Sequence, residues 1–175
     1  MSALDVALSL YLHINRIISR ADIYLIKMMI KSRLYPYFLV TVQLACLFYI
    51  LISGPIVSNS TAGLLIECAG IFLALLAIYV MKIKNFNLTP IVKQDSELIT
   101  SGPYRIIRHP MYIAQLLVVL PLVIDYFSWY RFSALVLLAI ILLVKIDYEE
   151  KLLLGHFTEY LEYKKKTKKL IPYVY

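Results

Sequence analysis

Four stretches of this 175-residue chain stay apolar for 15 to 20 residues at a time, and nothing else limits its fold so tightly. They are residues 35–52, 62–81, 111–126 and 132–146. A small soluble domain cannot hide four such runs, because its surface-to-volume ratio forces much of the chain outward. As helices they reach far enough to cross a bilayer: at 1.5 Å per residue, 18 residues span about 27 Å, close to the hydrocarbon thickness. Composition points the same way. Apolar types make up 61% and charged types 17%, where a soluble domain carries about 45–50% and about 25%. The chain therefore reads as an all-α integral membrane protein with four transmembrane helices. Disorder, a collagen-like fibre and a nucleic-acid-binding domain are excluded, despite the net charge of +7.

The runs differ in detail. Gln43 is the one strongly polar residue of the first, Glu67 lies near the start of the second, and Pro121 is expected to kink the third. Only residues 127–131 separate the last two, which predicts a tight helical hairpin, and the fourth continues as helix past the membrane edge. Residues 1–34 mix Leu8, Leu10, Ile14 and Ile17 with Asp5, His13, Arg16, Arg20 and Asp22. A cation at a span centre costs about 2.5–3.5 kcal/mol, so this segment is predicted to lie in the interface as an amphipathic helix. Three parts follow: the interfacial segment 1–34, the first two spans and a linker over 35–95, and a core over 96–175 that holds the hairpin, a cytosolic helix and the tail. Cys46 and Cys68 sit in apolar runs and read as packing residues.

Charge sets the orientation. With four spans, 17 of the 18 Lys and Arg fall on one side, and Arg131 alone falls on the other. The positive-inside rule puts that basic side, with both termini and the loop before the third span, in the cytosol. The five lysines of residues 164–169 are an expected partner for anionic lipids. Glu67 is expected to snorkel or pair.

A hairpin brings the start of its first helix to the end of its second. Arg108, His109 and Tyr112 should therefore face Lys145, Glu149 and Glu150 across a pocket at the membrane edge. A basic and an acidic side at the end of an apolar hairpin suit a zwitterionic, partly greasy ligand. A glutamate could accept from ribose hydroxyls or an amino group, Arg108 or His109 could hold a carboxylate, and Tyr104 or Tyr112 could cover a base or approach a sulfonium. Singly, such charges usually snorkel or pair, as Lys145 and Glu149 could at i,i+4. Their conjunction with an upstream Gly102-Pro103-Tyr104 is what solvation leaves unexplained.

Taken in order, Gly102-Pro103-Tyr104, Arg108-His109-Pro110-Met111-Tyr112, Glu149-Glu150-Lys151-Leu152-Leu153, then Phe157, Tyr160, Tyr163 and Pro172 resemble the isoprenylcysteine carboxyl methyltransferase family, which is related to the phospholipid N-methyltransferases. The resemblance covers residues 96–175. It implies S-adenosylmethionine contacts from Ser96, Glu97, Leu98, Ile99, Tyr104, His109, Pro110, Met111, Tyr112 and Glu149. It also implies that Lys145 stands where the family usually has an arginine oriented toward the substrate. Cofactor would enter from the cytosol, and a lipid-like or prenylated substrate from the bilayer. Lys145 and Arg108 are the residues expected to handle that substrate. Ala114 departs from a frequent glycine, Ser96 from a frequent histidine, and Lys145 exchanges a planar fork for a point charge. A phospholipid amine methyltransferase, an NADPH-dependent membrane reductase and a non-catalytic subunit are the competing readings.

Overall fold

The computed structural model describes residues 34–85 and 97–171. Residues 1–33 of the interfacial segment predicted over 1–34, Ser96 and the last four residues lie outside them. Among the described residues five α-helices follow in order: α1 (Tyr35–Ile52), α2 (Thr61–Asn85), α3 (Pro110–Asp125), α4 (Trp129–His156) and α5 (Tyr160–Lys166), with a 3₁₀ turn at Gly102–Arg105 before α3. There is no strand among the described residues, only a parallel bridge between Ile107 and Lys168. The all-α membrane architecture is as the apolar runs predict. Three helices, α1, α2 and α4, are long and apolar enough to cross a bilayer, whereas α3 is apolar but only 16 residues long, about 24 Å at 1.5 Å per residue.

Local chemistry sets the boundaries. Ser60 caps α2 by accepting from Gly63 N at 3.0 Å, and Ser128 caps α4 by accepting from Arg131 N at 3.2 Å, each satisfying an N–H that the first turn leaves open. Pro110 opens α3, where a missing N–H costs nothing. The turn between α3 and α4 is only three residues long, confirming the tight hairpin.

From Leu39 onward the described residues pack as one unit. Its core joins Cys46 and Ile50 of α1 to Val119, Leu122 and Val123 of α3 and Leu138 and Leu142 of α4. α2 approaches α3 most closely, at Gly70. A Cβ there would lie 3.0 Å from the Ala114 carbonyl oxygen and 2.9 Å from Val118 Cγ2. Small residues are what let helices in lipid come this near. The outer face of α2 stays exposed at Phe72, Leu75 and Tyr79, as a lipid-facing surface must.

Polar contacts tie the hairpin turn to the α1–α2 loop. Arg131 is 2% exposed and donates to Ser53 Oγ at 3.0 Å and to the Leu122 carbonyl at 2.8 Å. Asp125 accepts from Asn59 N at 2.7 Å and from the Ser58 hydroxyl, and Glu67 accepts from Ser58 N at 3.1 Å. Glu67 therefore pairs with backbone, in line with the expectation that it would snorkel or pair.

Candidate active site

The opposite end of the bundle carries the predicted constellation. Gly102 adopts φ +57°, a left-handed conformation that L side chains rarely take, and a Cβ there would meet Val80 Cγ2 at 2.8 Å. This turn buries Tyr104, whose carbonyl accepts from the Tyr163 hydroxyl at 2.7 Å. Downstream, the chain leading into α3 pairs with the segment after α5. Arg108 N donates to the Lys168 carbonyl at 2.8 Å, His109 N to the Lys169 carbonyl at 3.1 Å, and Lys168 N to the Ile106 carbonyl at 3.2 Å. The backbone N–H groups just ahead of α3 would otherwise lack acceptors. The C-terminal segment supplies them and locks Arg108 and His109 in place.

α4 brings the acidic side. Glu150 is nearly enclosed and accepts from Arg108 Nε at 2.7 Å and from Lys164 Nζ at 2.9 Å. The Arg108 guanidinium also donates through Nη1 to the Thr167 carbonyl at 2.5 Å. Arg108 therefore ties α4 to the C-terminal segment through Nε and Nη1. Glu149, whose side chain is 20% exposed, accepts from the Tyr112 hydroxyl and lies 3.5 Å from His109 Nδ1. His109 and Tyr112 stack nearly parallel, 3° apart with centroids at 5.6 Å. Burial opposes a charge on His109, but the carboxylates of Glu149 and Glu150 beside it outweigh that and raise its pKa. Its Nε2 is buried and has no hydrogen-bond partner among the described residues, with Glu150 Oε1 at 3.7 Å. Burial, Tyr163 and Glu149 push the Tyr104 hydroxyl well up, so it stays a neutral phenol.

One turn before Glu149, Lys145 is 2% exposed. It does not pair with Glu149 in the i,i+4 manner that spacing alone allows. Its ammonium donates to Gln43 Oε1 of α1 at 2.7 Å and sits 5.1 Å from the centroid of the Tyr112 ring. Gln43 Nε2 in turn donates to Gln115 Oε1 of α3 at 2.7 Å.

The structure thus unites Arg108, His109, Tyr112, Glu149 and Glu150, with Lys145 beneath them. Pro110 and Met111 follow as the first turn of α3. Glu97 is exposed, and Leu98 and Ile99 are half-buried. Leu98 lines a separate cleft of about 350 Å³ with Arg105, Glu162, Tyr163 and Thr167. Sequence reasoning missed Gln43, Gln115, Lys164 and Thr167 as members of this network. A lone glutamine inside a span was the available signal for Gln43; for Thr167 there was none.

These groups match the chemistry of S-adenosylmethionine. A partly exposed carboxylate suits hydroxyls or an ammonium group, aromatic faces suit a sulfonium, and the unsatisfied His109 Nε2 offers a further polar contact. The sequence model of the phospholipid methyltransferases matches residues 58–159, more than half of the chain. No curated protein gives a significant match. The match spans α2, α3 and α4 and takes in both the Arg-His-Pro-x-Tyr motif and the glutamate pair, so the resemblance read from those motifs holds at the level of the family. The chain belongs to the phospholipid methyltransferase family, membrane methyltransferases that act on lipid-like substrates.

Proposed function

We propose that the protein transfers a methyl group from S-adenosylmethionine to the carboxylate of a prenylcysteine-like or other lipid-like acceptor that enters from the bilayer. The observation that carries this reading is the stacking of functions along one face of α4. Glu149 is joined to Tyr112 and His109, and the buried Lys145 lies one turn before it on the same helix. The bound cofactor supplies an already activated methyl group on a sulfonium. Glu149, Tyr112, Tyr104 and His109, with the segment from Ser96 to Ile99, hold and orient it. Lys145 positions the acceptor, and Arg108 keeps the C-terminal segment closed over the site through Glu150 and Thr167. A carboxylate attacks without losing a proton, so no side chain has to act as a general base. Rate comes from alignment of the acceptor with the methyl group. In this arrangement α3 is a short fourth span, and the site and both termini face the cytosol.

The family match favours a methyltransferase over the reductase reading. Equilibrium binding of S-adenosylmethionine to the detergent-purified protein tests the assignment. Glu149→Ala and His109→Ala should weaken binding about ten- to a hundredfold, the value of a charge-assisted hydrogen bond. Lys145→Ala should keep cofactor affinity and lose turnover. Absence of binding by folded wild-type protein would refute the reading, and equal loss of binding in Lys145→Ala would refute the division of labour.

A further inference from the structure

The α3–α4 hairpin is short for a bilayer. α3 has 16 residues and rises about 24 Å. On α4 the exposed apolar positions run from Phe132 through Val136, Leu137 and Ile140 to Leu143. Asp147, with a side chain 60% exposed, closes that run. From Trp129 to Asp147 the helix rises about 27 Å. α2 is longer, but the α1–α2 loop lies against its first turns, because Glu67 accepts from Ser58 N at 3.1 Å. The end of α3 meets the same loop, where Asp125 accepts from Asn59 N at 2.7 Å. From Glu67 to Lys82, the next charge along it, α2 rises about 22 Å. An average hydrocarbon layer is about 30 Å thick. Tilting only shortens the projection of a helix, so it does not make up the difference.

The tip of the hairpin is aromatic. Trp129 and Tyr130 are 74% and 79% exposed, and Tyr126 and Phe127 are exposed beside them. Phe127, Trp129 and Phe132 pack edge-on or tilted against one another, with centroids 5.4 to 6.2 Å apart. The polar groups of the turn are spent inside the protein: Asp125 on the α1–α2 loop and Ser128 on the cap of α4. What the tip shows outward is therefore a patch of rings, some carrying an indole N–H or a phenol. Water is a poor solvent for such a patch, and the hydrocarbon centre would leave the polar ends unbonded. The headgroup belt accommodates both halves of these side chains.

We infer that the aromatic tip of the α3–α4 hairpin seats in the headgroup belt of the leaflet far from the candidate site. The same geometry matches the bundle to a thin bilayer, with a hydrocarbon layer of about 24–27 Å. The partner of the tip is lipid, and Trp129 and Tyr130 are its anchors. The inference goes beyond methyl transfer; it rests on α3 as the fourth span and on no step of the reaction. In a thicker membrane either the tip is drawn into hydrocarbon or the lipid thins around the hairpin, and each costs free energy for every ångström of mismatch.

Trp129 is the single tryptophan of the chain, so its fluorescence reports on the tip alone. The full chain, without cofactor, is reconstituted in phosphatidylcholine vesicles whose monounsaturated chains have fourteen, eighteen or twenty-two carbons. In the shortest lipid, bromine placed near the carbonyl should quench Trp129 more strongly than bromine near the chain end or acrylamide in the water. The thermal midpoint should be highest there and fall by about 2–4 °C toward the longest chains. Trp129→Ala combined with Tyr130→Ala changes only exposed positions and should weaken that dependence on chain length. Quenching by acrylamide and not by bromine would put the tip in water. Shielding from both would mean that protein, such as a second copy of the chain, covers it. Either result overturns the lipid seat. A midpoint that is flat or rises with chain length overturns the match to a thin bilayer, and an unchanged dependence in the double variant overturns the anchoring role. No arm involves methyl transfer, so a failure here and a failure of the enzymatic reading are told apart.

Discussion

Replacing Arg108 with alanine removes several contacts at once. The guanidinium donates to Glu150 at 2.7 Å, to the Thr167 carbonyl at 2.5 Å and to the Lys164 carbonyl at 3.3 Å. Arg108 and Glu150 have side chains only 5% and 4% exposed, so the loss leaves a buried carboxylate. Removing one partner of such a pair costs about 3–5 kcal/mol. Lys164 still holds the other Glu150 oxygen at 2.9 Å but is 40% exposed, so it offsets only part of this. The Thr167 carbonyl loses a donor, which adds about 1 kcal/mol, and a total of about 3–4 kcal/mol results. The cost falls on the contact between α4 and the C-terminal segment, so that segment should open locally before the bundle unfolds. Limited proteolysis in mild detergent reads this directly. About 3 kcal/mol corresponds to roughly a hundredfold increase in the open population, and cleavage within residues 164–171 should accelerate in proportion. Arg108→Lys should recover one contact and not the fork. Cleavage within threefold of wild type, with an unmoved unfolding midpoint, would refute the reasoning.

His109 carries a pKa raised above the ordinary 6.5, so its charged form contributes stability that is fully present below about pH 6.5 and is lost as pH rises through the folded-state value. Thermal midpoints in detergent should therefore fall as pH rises above 6.5, and His109→Gln should flatten that slope; a parallel slope in the variant would count against the ion pairs with Glu149 and Glu150. Gly70→Leu should destabilise by about 1–3 kcal/mol through overpacking, because even its Cβ would crowd the Ala114 carbonyl at 3.0 Å; an unchanged midpoint would show that α2 can move freely off α3. Arg131→Met strips a donor from the Leu122 carbonyl and from Ser53, at a cost of about 1–3 kcal/mol. Gly54→Ala would place a Cβ 2.3 Å from Arg131 Nη1. Its cost should shrink by at least about 0.5 kcal/mol in the Arg131→Met background, and strict additivity would refute the contact.

What the sequence made legible was whatever depends on period, run length and chain order. Apolar runs located the long helices, and a three-residue turn between α3 and α4 forces Arg108, His109 and Tyr112 toward Glu149 and Glu150 whatever else the fold does. Less legible was which partner each charge takes. Spacing allowed Lys145 to pair with Glu149, but the ammonium goes to Gln43, 102 positions away, and no local pattern encodes that distance. The lysines of residues 164–169 read from sequence as a patch for anionic lipids, and the fold adds partners within the chain: Lys164 meets Glu150 at 2.9 Å and Lys169 meets Asp147 at 2.8 Å. That depends on the single parallel bridge of Ile107 with Lys168, too short to leave an alternating pattern. Arg131, the one cation counted on the far side, is buried, and α3 offers it a carbonyl of its last turn.

The chain from Gln115 through Gln43 to Lys145 also bears on how the protein is made. Gln43 finds its partners 72 and 102 positions later, so α1 leaves the ribosome long before either exists. At about 5–20 residues per second, translating the 72 residues up to Gln115 takes about 4–14 s. For that interval Gln43 stands in lipid with neither bond made. A neutral amide tolerates the wait at moderate cost, whereas a carboxylate at the same place would oppose insertion of α1. The lysine is the charged member of the chain, and it belongs to the last span to be synthesised, when both glutamines are already in place to receive it.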